Sequence, residues 1–140
     1  MHIESIMIKA NRRKFIAAAA GLAAATVVNG NPIMGQDEKY IAHQVYFWLK
    51  NPGSTEDRIQ LIDGIKTLRK IDTVRKLTIG VVAATEKRPV IDDTWSVSEL
   101  ALFNNLAGQA TYQVHPIHLD FVKNYSHLWS KVVIYDSYEV

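Results

Sequence analysis

From residue 43 onward the chain alternates. His43, Val45, Phe47 and Leu49 fall on one side of an extended segment and Gln44, Tyr46, Trp48 and Lys50 on the other, because successive side chains of a strand point to opposite faces. The richness in β-branched and aromatic residues marks a strand, and Asn51-Pro52-Gly53 ends it. The period then lengthens. Ile59, Ile62 and Ile65, with Leu61 and Leu68 one step off, form a helical stripe to about Lys70. Ser54 stands at the expected cap, with Glu56 and Asp57 in the first turn, where the helix dipole favours anions. Residues 74–82 read as a second strand, the polar stretch 83–93 with Pro89 as a loop, and residues 95–103 as a third strand. Residues 106–113 form a short helix that His115-Pro116 interrupts, since a residue before proline is pushed out of the α region. Pro116 suits the first position of a new helix to about Trp129, and residues 132–138 give a fourth strand.

This order, β-α-β-β-α-β, predicts an α+β, ferredoxin-like domain: an antiparallel four-stranded sheet with helices on one face. Leu100 and Leu102 are assigned to the helix-covered face. Val45, Phe47 and Leu49, with Trp95, Val97, Glu99, Ala101 and Phe103 by alternation, are assigned to the other. Apolar area left in water is unfavourable by about 25 cal/mol per Å². A second copy is therefore expected to cover that face, giving a homodimer whose two sheets enclose a barrel-like cavity.

Charge divides the chain. Residues 1–39 hold five Lys/Arg and three Asp/Glu, whereas residues 40–140 hold eleven of each. The folded part is neutral and has no basic stripe, which argues against nucleic-acid binding. The excess positive charge sits in residues 1–39, read as a signal peptide and linker. Arg12-Arg13-Lys14-Phe15-Ile16 opens an uncharged, alanine-rich run to Val28. Fourteen residues are short for a membrane anchor, which needs roughly 20. The paired arginines resemble a twin-arginine export signal, so the domain, residues 40–140, is expected to fold before export to the periplasm, with no membrane segment in the mature form. There is no cysteine, hence no disulfide, thiolate nucleophile or zinc–thiolate site.

Candidate chemistry concentrates in Tyr112-Gln113-Val114-His115-Pro116-Ile117-His118. His118 falls in the first turn of a helix, where the dipole disfavours imidazolium by roughly 0.3–1 kcal/mol. A neutral imidazole is what a general base requires. The competing role is to hold the helix start. His115 is expected to cap that helix. Tyr112 is either an oxyanion donor or an amphipathic core residue. His43 lies on an apolar strand face, as a pocket residue or a satisfied core histidine. Glu99 either enters an apolar cavity, which would raise its pKa, or reaches water where its strand emerges. Asp136 is assigned to the strand end or dimer edge. No metal or other cofactor is expected: the proline spoils a shared helical face for His115 and His118, and no cysteine joins them.

His43 opening the first strand with Val45 and Phe47, the Tyr112-to-His118 element, and Trp129 leading to Val132-Val133-Ile134-Tyr135-Asp136 together resemble the stress-responsive α/β barrel family of dimeric α+β barrels, over about residues 40–140. The resemblance implies a homodimer and a small pocket between sheet and helices. A plant member cyclises a polyketide without a cofactor. By motif its pocket histidines and tyrosine fall on His118, His43 and Tyr112; strand alternation adds Val45, Phe47, Trp95 and Glu99 as expected ligand-binding residues. That enzyme's third-strand histidine falls near Val97 and its first-helix tyrosine near Gly64, so two of its polar groups are absent. The implied function is binding of a small, largely apolar organic molecule, with cyclase- or isomerase-like acid–base chemistry. The alternatives are a non-catalytic stress-response dimer and a haem- or metal-binding protein.

Overall fold

A computed structural model of the chain describes residues 39–140. The expected signal and linker lie, apart from Lys39, outside the described residues. Four strands, β1 (Ile41–Leu49), β2 (Val74–Gly80), β3 (Val97–Phe103) and β4 (Trp129–Tyr138), form one sheet in the order β2-β3-β1-β4, every pair antiparallel. Helices α1 (Thr55–Thr67), α2 (Leu106–Val114) and α3 (Pro116–Tyr125) connect them. The expected ferredoxin-like α+β architecture is present, with the second helical layer split in two.

Local chemistry sets the breaks. The Ser54 hydroxyl accepts from the Asp57 amide and starts α1. The Asn105 side chain accepts from the Gly108 amide and starts α2. His115 ends α2 with extended backbone, and its Nδ1 accepts from the Ile117 amide at 3.1 Å to cap α3, with Pro116 following at the first position. α3 stops at Tyr125 rather than Trp129; a single 3-10 turn, Ser126–Leu128, hands the chain to β4, which begins three residues earlier than expected.

The assignment of sheet faces requires correction. Val45, Phe47, Leu49, Val97, Ala101 and Phe103 are buried within one chain, in a core with Leu61, Ile65 and Phe121 of the helices. They therefore lie under the helices. Leu100 and Leu102 lie on the opposite face, in register with Gln44 and Ala42 of β1. Alternation separates two faces but does not say which one the helices choose, and here both are apolar. The open face carries Tyr46, Trp48, Leu100, Leu102, Val133 and Tyr135, all partly or fully exposed. Tyr46 packs edge-on against Tyr135, and Lys131 sits 4.4 Å over the Trp48 ring.

The helices also meet each other closely. A Cβ on the buried Gly64 of α1 would come within 2.8 Å of the Tyr125 ring, so glycine at that position lets α1 pack against α3. Tyr125 stacks in turn on Phe121, 5.6 Å between ring centres.

Candidate functional site

Between the covered face of β1, β3 and β4 and helices α2 and α3 lies a cavity of about 140 Å³. An engineered apolar cavity of about that size holds one benzene ring. β1 contributes His43, Val45 and Phe47; β3 contributes Glu99; α2 contributes Tyr112 and Gln113; α3 contributes His118, Phe121 and Val122; β4 closes the side with Trp129, Val132 and Ile134. Six of the seven sequence-derived site residues thus meet in one place: His43, Val45, Phe47, Glu99, Tyr112 and His118 all line it.

Trp95 does not. β3 begins only at Val97, so the alternation that assigned Trp95 to this face stops short of it. Its indole N–H donates to the Asp92 carbonyl at 3.0 Å, and its ring lies edge-on to Tyr46, a residue of the open face.

The polar groups form two hydrogen-bonded pairs. Glu99 is 2% exposed, and the Tyr112 hydroxyl donates to its Oε1 at 2.9 Å. Burial pushes the Glu99 carboxyl up to about 7, against the opposing effect of the Tyr112 hydrogen bond. Burial and the neighbouring Glu99 raise the Tyr112 phenol well above its usual range, so it stays protonated. The phenol considered as an oxyanion donor is thus engaged with Glu99. His43, also buried, places Nδ1 2.6 Å from Asp136 Oδ1.

His118 is half-buried, with Nδ1 3.2 Å from the main-chain carbonyl of Gln113, one of the last carbonyls of α2. Its pKa is lowered as anticipated. Burial is the largest cause and the proximity of His43 adds to it, while the Gln113 hydrogen bond opposes. The Tyr112 ring stands between the imidazoles, 5.7 Å from His43 and 4.6 Å from His118 between ring centres.

Asp136 was missed as a site residue. The signal was available: alternation through Val132, Ile134 and Asp136 puts its side chain on the cavity face, and the register pairs it directly with His43. The Gln113 carbonyl has no sequence signal, because every residue carries one. Among the described residues, no group of three or more metal-ligating side chains is close enough together to hold a metal ion.

Residues 41–139 match the family model described as Stress responsive A/B Barrel Domain. Comparison with proteins of curated function finds no match. Among solved structures, a Dabb family protein with a ferredoxin-like fold from Mesorhizobium loti is 23% identical, with a TM-score of 0.61, over 73% of this chain and 98% of that one. A dimeric ferredoxin-like protein of unknown function from Thermobifida fusca is 16% identical, with a TM-score of 0.60, over 72% of this chain and 92% of that one. A hydroxynitrile lyase from Passiflora edulis is 20% identical, with a TM-score of 0.61, over 74% of this chain and 95% of that one. At these identities the likeness is one of fold.

Proposed function

The chain belongs to the stress responsive A/B barrel domain family, and from that premise we propose that it binds a small, largely apolar organic molecule in the cavity under α2 and α3 and moves a proton on it without a cofactor. The observation that carries this reading is the meeting of two imidazoles, a phenol and a buried carboxylate in one ring-sized apolar cavity. Apolar walls supply affinity, and a few converging polar groups supply orientation. His118, whose pKa is lowered by burial, stays neutral near pH 7 and takes the proton at Nε2. His43, oriented by Asp136, is the second proton-handling group. Tyr112 acts by holding Glu99. A lyase on the same fold supports small-molecule chemistry of this kind.

The test is the content of the native protein. Material from the periplasmic fraction of the native host, which also checks the twin-arginine-like signal, is expected to release a neutral organic molecule on denaturation, close to one per chain. Repeated preparations that release nothing would count against the cavity as a binding site. A second reading, binding without turnover, draws support from Val97 and Gly64, which stand where the plant cyclase carries polar groups.

The dimer belongs to the same proposal. The open face, with Tyr46, Leu100 and Tyr135, is the surface a second copy covers, and neighbours of this fold are described as dimeric. Charging its centre with Leu100→Lys is expected to shift sedimentation at micromolar concentration from dimer to monomer. A wild-type chain that sediments as a monomer sinks this part of the proposal.

A further inference from the structure

The titratable side chains of the cavity leave a ligand atoms of one kind, acceptors. Glu99 Oε1 takes the Tyr112 hydrogen, and Oε2 has no protein partner among the described residues, on a side chain only 2% exposed. The two imidazoles are fixed in the same sense. His118 Nδ1 faces a main-chain carbonyl, which can only accept, so Nδ1 carries the hydrogen. His43 Nδ1 faces the Asp136 carboxylate, with the same consequence. In its neutral form each ring then presents Nε2 as a bare lone pair. The Tyr112 hydrogen is engaged. The lining has no lysine or arginine, and its remaining polar side chains, Gln113 and Trp129, are neutral.

With Glu99 ionised, a carboxylate or phosphate entering this space would meet three acceptors among the titratable groups and no cation. A hydroxyl or amine would satisfy groups that are otherwise left unpaired, and leaving them unpaired is what makes a hydrogen-bonding site reject the wrong ligand. We propose that the bound molecule is neutral, has a ring-sized apolar body and carries at least two O–H or N–H donors, one for Glu99 Oε2 and one for His118 Nε2, and that Glu99 selects it. This inference rests on the cavity being the binding site.

The test is equilibrium titration of the full chain, at about pH 8.5 where carboxyls are ionised, with three probes of similar size: catechol (two donors), toluene (none) and benzoate (an anion). Catechol is expected to bind at least about tenfold tighter than either of the others, as hydrogen bonds to a charged acceptor give. Glu99→Gln keeps the shape and an oxygen for Tyr112 but turns the free oxygen into an N–H donor. In that variant catechol is expected to weaken by about tenfold and benzoate to strengthen. A melting curve verifies that the variant is folded. Toluene or benzoate binding as tightly as catechol would overturn the inference while leaving the cavity as a binding site. Unchanged selectivity in Glu99→Gln would remove Glu99 as the selecting residue. Binding of none of the three would overturn the site and the inference together.

Discussion

Replacing Glu99 with glutamine is expected to stabilise the protein above neutral pH by up to about 3 kcal/mol and to flatten its stability between about pH 4.5 and 7. The carboxyl titrates near 4.5 when the chain is unfolded and at about 7 in the fold, because burial penalises its charge. Between those values the folded protein retains a proton that the unfolded chain has released. Stability therefore falls as pH rises through the window, and the loss is complete above about 7. A shift of this size, at about 1.4 kcal/mol per unit, gives the stated magnitude. His118 works in the opposite direction. Its lowered pKa means that the unfolded chain binds the proton more readily, so its contribution rises with pH up to its unfolded value of 6.5. Both proteins carry that effect, so the difference between wild type and Glu99→Gln isolates the carboxyl. Urea unfolding at a series of pH values measures it. A constant difference from pH 5 to 8 would mean that Glu99 reaches water and that its burial is relieved in solution.

Removing the base is expected to lower kcat/KM for a confirmed substrate by about 10²- to 10⁴-fold, the usual contribution of a positioned proton acceptor. The informative variant is His118→Asn. Alanine would also delete the hydrogen bond to the Gln113 carbonyl, which ties α3 to the end of α2, and so mix folding with chemistry. Asparagine keeps an N–H near the position of Nδ1 and has no titratable nitrogen. The wild-type rate should rise with pH along a limb below 6.5, since burial holds His118 below its ordinary value and the neutral form is the active one. His43→Asn, which preserves the donor toward Asp136, is the companion measurement. If His118→Asn retains full turnover and His43→Asn does not, the base is His43. If both retain it, neither histidine is the base and the proton acceptor lies elsewhere in the cavity.

Much of the site could be read from the sequence because the signal was local. The Tyr112-to-His118 element set its own geometry: proline fixes the start of α3, the residue before it leaves the helix and caps the next one, and His118 follows within the first turn. Glu99 was assignable by alternation with Val97 and Ala101. Alternation failed for Trp95, which stands before the first residue of β3, and it went unused for Asp136, whose partner is 93 residues away.

The sequence by itself determined the element order, the α+β class, the neutral charge of the domain and the residues that share each strand face, because these follow from periodicity, turn chemistry and composition. Tertiary structure alone decided which face the helices cover. Both faces of β1 and β3 are apolar enough to be buried, so hydrophobicity did not distinguish the core from the open surface, and the first assignment came out inverted. The choice has direct chemical consequences. With His43 and Glu99 under the helices and Tyr112 reaching them from α2, each meets a specific partner in a space the size of one ring, and it is burial there that raises the Glu99 pKa and lowers that of His118. Such shifts depend on how much water surrounds a group and on what stands within a few ångströms of it, and both are properties of packing between distant segments.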